Sequence, residues 1–508
     1  MNKQPNILFI MCDQFRFDCI SALGNNIIRT PNLDRLVHRG ISFTNAYSTN
    51  PVCIAARYTL MTGREPYHTG SYFNEIPSPM DGLAKNIEDR CGKYIAGTLG
   101  DLGYRTFGMG KFHVGESARD KLGFDTKISV EELFTSDTIK DDDYAMFMKN
   151  EHPEYSHIEQ LHGERSDMYY VPQTRPFPAE LTGEAFTVGK GLDEINRDDG
   201  RPYFGYISFI GPHPPVTPPI PYNRMYNPDI MPNPIRGDLN IDMMDEYVRW
   251  MNHAIWAEDI NDFLARRIKS HYYGEISFID DCIGQILDLV ESRADSDNTL
   301  ICFFSDHGDH MGDHNLWQKE SYFEESCRIP YLVSWPERLE KNAKCDELVA
   351  ISDLFAIATC AAGSIELRDG TDVLDMLRGS ASPRKYLYAC YGRPGTPLFK
   401  CMVRYKEWKY IFLSNGGREQ LFNLDNDPHE MTLRNNDSSE IFEKLKTYAT
   451  EYSKRPGLYS ALDGDKLKVY DFKRIEEQRI LQFAYDRGVT DFTVGACRGK
   501  TLNNVEQT

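Results

Sequence analysis

The sequence predicts an α/β fold: a large, mixed but mostly parallel sheet sandwiched by helices, followed by a small C-terminal α+β subdomain with an antiparallel sheet. Three observations predict it. Apolar runs of strand length alternate with helix-like segments along the first three quarters of the chain, the pattern of a sheet covered on both faces. Four of those runs end on polar residues. Beyond residue 385, short β-like runs are separated only by turns. A chain of 508 residues exceeds one simple hydrophobic core, so residues 1–375 are assigned to a main domain and 376–508 to a C-terminal subdomain.

Taken in order, "NILFIMCDQ" is an apolar run that stops at Asp13 and Gln14. In "NPVCIAARYTLMTGR" a Pro-containing loop turns into a short helix closed by Gly63. This places Cys53 near a helix N-terminus, where partial positive charge favours an anion, and Arg57 one turn further on. "YRTFGMGKFHVG" ends on Lys111 and His113. An acidic, aromatic insert at roughly 130–175 reads either as the rim of a pocket or as a solvated excursion. "YFGYISFIGPHPP" ends on His213. "HYYGEISFIDDCIGQILDLVES" carries apolar residues at 276, 279, 283, 286, 287 and 290, the stripe of a sheet-covering helix whose acids are expected on its solvated face. "TLICFFSDHGDHMGDH" brings Asp306 and His307 directly after a strand. Asp309, His310, Asp313 and His314 read as a solvated acidic loop, with Lys319 beyond it. Residues 365–385 are rich in turn formers and lead out of the main domain. "KYLYACY", "LFKCMVRYKEWKYIFLS" and "EQLFNLD" form the small antiparallel sheet, with a helix near 438–454 packed on it. The tail after 455 extends past the last of these elements.

A formal net charge of −19 argues against a nucleic-acid partner, which calls for clustered Lys and Arg, so an anionic substrate must be held by a local group of cations. The twelve cysteines include no C-x-x-C pair and read as reduced, mostly buried thiols. The apolar run near the N-terminus is too short for a signal-peptide core, and no stretch approaches the roughly 18 apolar residues of a membrane span. A cytoplasmic protein with no membrane partner is the expectation.

Ligands of open α/β sheets sit outside the carboxyl ends of the strands, so the four polar endings are expected to converge. Singly, each has a plainer role: Asp13 as a helix cap or turn former, a lone His as a hydrogen-bonded structural residue. Together, Asp13, Gln14, Asp306 and His307 offer mostly oxygen donors to one divalent cation, Ca²⁺, Mg²⁺ or Mn²⁺, rather than a thiolate zinc centre. Arg57, Lys111, His113, His213 and Lys319 would form a cationic wall around Cys53. A metal plus that wall suits a tetrahedral oxyanion, sulfate or phosphate, attacked by a nucleophile at position 53.

These residues resemble a known family. "CIAAR" followed by Thr62-Gly63 is similar to the signature of the type I, formylglycine-dependent sulfatases, of alkaline phosphatase-like fold. "PNILFIMCDQ", "TPNLDRLVHRGISFTNAY", "GKFHVG", "PHPP", "SDHGDHMGDHNLWQK" and "EWKYIFL…QLFNLDNDPHE" match that family in order, over residues 5 to about 435. The resemblance implies that Cys53 is oxidised to Cα-formylglycine by a maturase and that the main domain is catalytic. Asp13, Gln14, Asp306 and His307 would be the metal ligands, Ca²⁺ first. Arg57 and Lys111 would hold the formylglycine oxygens, with His113 the base of the elimination step and His213 and Lys319 assisting the leaving oxygen. Asn74, 21 residues beyond Cys53, resembles a substrate-binding position of the choline sulfatase and phosphonate monoester hydrolase branch; its plainer reading is a loop Asn. Likeness to that branch also implies that the tail after 455 closes over the site or binds a second subunit, giving a homo-oligomer. Ala55 and Ala56 depart from the commoner Pro and Ser, which points to a radical-type maturase. The implied activity is hydrolysis of a sulfate monoester, of a small carbohydrate in the first instance. The alternatives are a phosphonate monoester or phosphodiester hydrolase on the same scaffold, and a sulfate-ester binding protein in which Cys53 stays a thiol.

Overall fold

The computed structural model describes residues 4–77, 86–115, 117–131, 139–155, 158, 161–163, 169–237, 243–435 and 439–476. Eight strands form the main sheet: β1 (Asn6–Cys12), β2 (Ile41–Tyr47), β3 (Arg105–Gly110), β4 (Thr126–Ser129), β5 (Tyr203–Phe209), β6 (Thr299–Ser305), β7 (Tyr331–Ser334) and β8 (Ala343–Ala350). Their spatial order is β4-β3-β5-β1-β6-β7-β2-β8. All neighbours run parallel except β7, which is antiparallel to both β6 and β2.

β1 shows why the apolar runs become central strands. Its side chains alternate faces, and both faces are covered: Leu8, Ile10 and Cys12 join one core while Ile7, Phe9 and Met11 join the other. Phe9 meets Phe204 and Phe304 edge-on, with ring centroids 5.4 and 5.6 Å away. Such pairs add about 0.5–1.5 kcal/mol beyond their area burial. The first core is closed by the helices Pro31–Arg39, Gly183–Asn196 and Asp262–Ser292, the second by Cys53–Thr62, Ile95–Asp101 and Asp353–Ala361.

The long helix Asp262–Ser292 buries the expected stripe, but its acids are not all on a solvated face. Glu275 and Asp280 are buried. Asp280 accepts the backbone N–H groups of Asn32 and Leu33, orphan donors at the start of the helix Pro31–Arg39, and Glu275 accepts the N–H of Thr217. These acids hold other elements in place.

The C-terminal meander comprises β9 (Leu387–Tyr391), β10 (Lys400–Tyr405), β11 (Trp408–Leu413) and β12 (Arg418–Asn423), paired antiparallel in sequence order. The helix Ser439–Ser453 packs on it through Leu445 and Ala449, and the same core takes in Tyr47, Val52 and Ala55 from beside the candidate site. Among the described residues no helix is long and apolar enough to cross a membrane. The eleven described cysteines are free thiols, nine of them buried. The tail beyond residue 476, with Cys497 and the expected subunit contact, lies outside the described residues.

Candidate active site

Strand register brings the polar endings together. Cys12, the last residue of β1, is level with Phe209 of β5 and Ser305 of β6, and Gly110 of β3 is level with Ser208. Asp13, Lys111 and Asp306 therefore leave adjacent strands at one edge of the sheet. Gly110 permits the junction: its φ is 102°, and a Cβ there would meet the Ser208 carbonyl oxygen at 1.9 Å.

Cys53 is the first residue of the helix Cys53–Thr62, all of which is buried. The helix ends at Gly63, left-handed at φ 63°, whose N–H returns to the Thr59 carbonyl. A Cβ at Gly63 would strike the Phe355 ring at 2.6 Å, so close packing as well as conformation selects glycine. Cys53 Sγ lies 3.0 Å from Lys319 Nζ, 3.2 Å from His307 Nε2 and 3.7 Å from Asp13 Oδ1.

Arg57, one turn on and fully buried, donates from Nε to Asp306 Oδ2 at 3.0 Å and from Nη2 to Asp13 Oδ2 at 2.8 Å. Its Nη1 donates to the Lys111 carbonyl and to Ser208 Oγ. Lys111 Nζ sits 2.6 Å from Asp13 Oδ2. These contacts occupy the outer oxygens of both aspartates. The inner ones, Asp13 Oδ1 and Asp306 Oδ1, each lie 3.7 Å from His307 Nε2. His307 Nδ1 lies 3.0 Å from the Gly308 carbonyl, which only accepts; Nδ1 thus carries hydrogen and neutral Nε2 presents a lone pair inward.

The donors fit a hard divalent cation. Asp13, Cys53, Asp306 and His307 place one ligand atom each within 4.8 Å of one another. Neighbouring donors in a shell with roughly 2.3–2.6 Å bonds lie about 3.3–3.7 Å apart. The Gln14 amide lies beside this group, next to Lys319. Its Nε2 donates to Asp309 Oδ2 and to Tyr170 OH, which leaves Oε1 facing Lys319 Nζ at 2.8 Å. Gln14 adopts φ 64°, and its backbone N–H binds Asp306 Oδ1 at 3.1 Å.

The charges hold one another in place. Burial works against an ionised Asp13, but the fields of Lys111, His213, Arg57 and Lys319 outweigh it and hold its carboxyl well below the usual carboxylate range. Burial likewise opposes the charge on Lys319, yet Cys53 and Asp13 keep its ammonium above the ordinary lysine value. Burial lowers His307, consistent with a neutral imidazole. A strongly acidic protein thus gathers Arg57, Lys111 and Lys319 at one buried point.

His213 follows β5 and is 4% exposed, with Nδ1 2.7 Å from the Pro214 carbonyl and Nε2 3.4 Å from Tyr169 OH. His113 is half-buried at φ 53°; its Nδ1 has no hydrogen-bond partner among the described residues. Asn74 is exposed, and its Oδ1 accepts the backbone N–H of Ile54 at 3.1 Å, which ties its loop to the start of the Cys53 helix.

Three features escape sequence reading. The loop after β6 is not solvated: Asp309, His310 and Asp313 are buried and His314 nearly so. Asp309 supports Gln14, and Asp313 pairs with Arg16 at 2.9 Å. The spacing Asp306-x-x-Asp309 was the available signal. Tyr169 and Tyr170, from the insert, contact His213, Gln14 and Asp309, so this end of the insert reaches the site. No local pattern marks them, since their partners come from three other strand ends. Glu131, whose carboxylate accepts the N–H groups of Phe112 and His113, is equally silent in sequence.

Comparison with known proteins gives the family. The sulfatase family model matches residues 5–364, and the model of the N-sulphoglucosamine sulphohydrolase C-terminal region matches residues 312–455. An arylsulfatase of Clostridium perfringens is 31% identical over 494 residues, covering 91% of this chain and 97% of the relative. A choline-sulfatase of Rhizobium meliloti is 28% identical over 84% of this chain and 82% of its own length. The crystal structure of a phosphonate monoester hydrolase of Agrobacterium radiobacter superposes with TM-score 0.70 at 23% identity, covering 88% of this chain and 94% of that one, which shows a shared fold. With the family model spanning most of the chain and an arylsulfatase matched almost end to end, this protein belongs to the sulfatase family, as a sulfuric ester hydrolase of alkaline phosphatase-like fold.

Proposed function

We propose that the enzyme hydrolyses a sulfate monoester of a small carbohydrate, using a formylglycine made from Cys53 by a maturase and one divalent cation, Ca²⁺ first. The observation that carries this reading is the placement of Cys53 Sγ among Lys319, His307 and Asp13. Any group built on that Cβ stands at once beside the cation donors and beside a buried ammonium. The sugar assignment draws support from the match to the C-terminal region of an N-sulphoglucosamine sulphohydrolase.

Asp13, Gln14, Asp306 and His307 would hold the cation, which supplies charge neutralisation at a sulfate oxygen. A hydrated formylglycine supplies two hydroxyls on one carbon: one to attack sulfur, the other to lose its proton when the sulfate is expelled. The chain's own groups divide the remaining work. Lys319 and Lys111 concentrate positive charge where the sulfate sits. Arg57, whose donors are spent on Asp13, Asp306, Ser208 and the Lys111 carbonyl, positions the carboxylates. His113, with an unpartnered Nδ1, is suited to take the hydroxyl proton in the elimination. His213, buried beside Tyr169, is suited to protonate the leaving alcohol oxygen.

Matched aryl sulfate and aryl phosphonate monoesters test this reading against the phosphonate alternative. We expect kcat/KM for the sulfate to exceed that for the phosphonate by at least about 10²-fold, a differential transition-state stabilisation of roughly 2.7 kcal/mol. A preference for the phosphonate would overturn it.

A further inference from the structure

We propose that His314, Glu325 and Glu430 form a second metal site, for a divalent transition-metal ion such as Zn²⁺, in residues separate from the Asp13 and Asp306 set. One ligand atom from each lies within 4.8 Å of the other two. Glu325 and Glu430 are fully buried, and the His314 side chain is 6% exposed. One imidazole and two carboxylates are the mixed nitrogen and oxygen set that zinc accepts, with a fourth position for water.

A second observation points to an ion. His314 Nε2 and Glu325 Oε2 face each other at 3.5 Å as an ion pair, and apart from that contact neither atom has a hydrogen-bond partner among the described residues. That separation is close to the spacing of two donors on one tetrahedral ion with bonds of roughly 2.0–2.1 Å. The charges leave room for one. Lys409 Nζ answers Glu430 Oε1 at 2.7 Å and Glu324 Oε1 at 2.6 Å, and Arg328 Nη1 reaches Glu324 Oε2 at 3.4 Å, so these two cations serve Glu324 and Glu430. The ion-pair partners of Glu325 are imidazoles, His314 and, at 3.6 Å, His429, which carry charge only when protonated. Glu430 is fixed in place by two contacts: its Oε2 accepts the Glu324 N–H at 2.7 Å, and Lys409 Nζ pairs with its Oε1. A cavity of about 550 Å³, whose lining also includes Arg236, Arg249, Glu258 and Arg474, reaches the His314 end of the group.

His314 and Glu325 flank Lys319 in the chain, and Glu430 follows β12 of the C-terminal sheet. An ion here would staple the segment that carries Lys319 to the subdomain behind it. The test uses the full-length protein, stripped with chelator, dialysed and supplied with Zn²⁺ alone, with zinc per chain and melting temperature as readouts. Wild type should hold one more zinc per chain than Glu325→Gln or His314→Asn, and only wild type should gain melting temperature from that extra zinc. Asn is chosen because His314 is left-handed at φ 58°, a conformation Asn tolerates. Equal zinc content in wild type and both variants would overturn the site and leave an imidazolium–carboxylate network. A readout independent of any variant's folding is Co²⁺ loading of wild type, where strong four-coordinate bands in the visible spectrum are expected and a purely six-coordinate spectrum would overturn the proposal.

Discussion

Replacing Cys53 by alanine is expected to lower kcat for an aryl sulfate by at least about 10⁴-fold while leaving the fold intact. The reason is local. Cys53 Sγ is a small group in van der Waals reach of Lys319, His307 and Asp13, and the helix it begins is held independently by Ala55, Ala56 and Tyr58 in the two cores on either side. Alanine keeps the Cβ but removes the thiol whose oxidative loss turns that carbon into the formylglycine aldehyde. Steady-state kinetics with circular dichroism check this. If Cys53→Ala retained a tenth of wild-type turnover, residue 53 would not be the nucleophile, and water activated elsewhere in the site would have to be.

Arg57→Leu should be the most damaging substitution for stability as well as for activity. Leucine fills part of the volume but leaves Asp13 and Asp306 without the guanidinium that bridges them at 2.8 and 3.0 Å. Breaking a buried pair from one side costs about 3–5 kcal/mol, because the remaining charge is uncompensated. The sign of the pH dependence follows from Asp13, whose folded-state carboxyl lies below its ordinary value despite burial, through Lys111, His213, Arg57 and Lys319. A depressed carboxyl contributes stability that is present above the unfolded value of about 3.9 and is lost as pH falls through the folded value. The difference in melting temperature between wild type and Arg57→Leu is therefore expected to be widest near pH 7 and to narrow below about pH 4, as Asp13 protonates in the variant first. A constant difference across that range would mean that packing, and not charge, carries the loss.

What could be read in advance follows from periodicity. β1, β3, β5 and β6 are short apolar runs with polar endings, and the register of parallel strands makes those endings neighbours. Asp13, Lys111, Asp306 and Cys53 were legible for that reason, each at a junction where a rigid element stops. The antiparallel meander after residue 385 was legible from its turns. Burial of charge was not. Glu275 and Asp280 sit on a helix whose pattern suggests a wet face, and only the arrival of Thr217 and of the Pro31–Arg39 helix gives them partners. Asp309 looked like loop charge until Tyr170 and Gln14, 139 and 295 residues away, were brought against it. Long-range polar contacts have no sequence period. Asn74 shows the converse: spacing singled it out, and the structure gives its side chain a backbone partner at Ile54.

The central claim is that residue 53 is chemically altered before it acts, and the most direct measurement is the intact mass of the peptide containing it. The protein should come from its native host or from cells that carry a maturase. A mass corresponding to formylglycine or its hydrate is the result the account predicts. An unmodified cysteine in fully active material would contradict it, and the thiol would then have to be the group that acts among Lys319, His307 and Asp13.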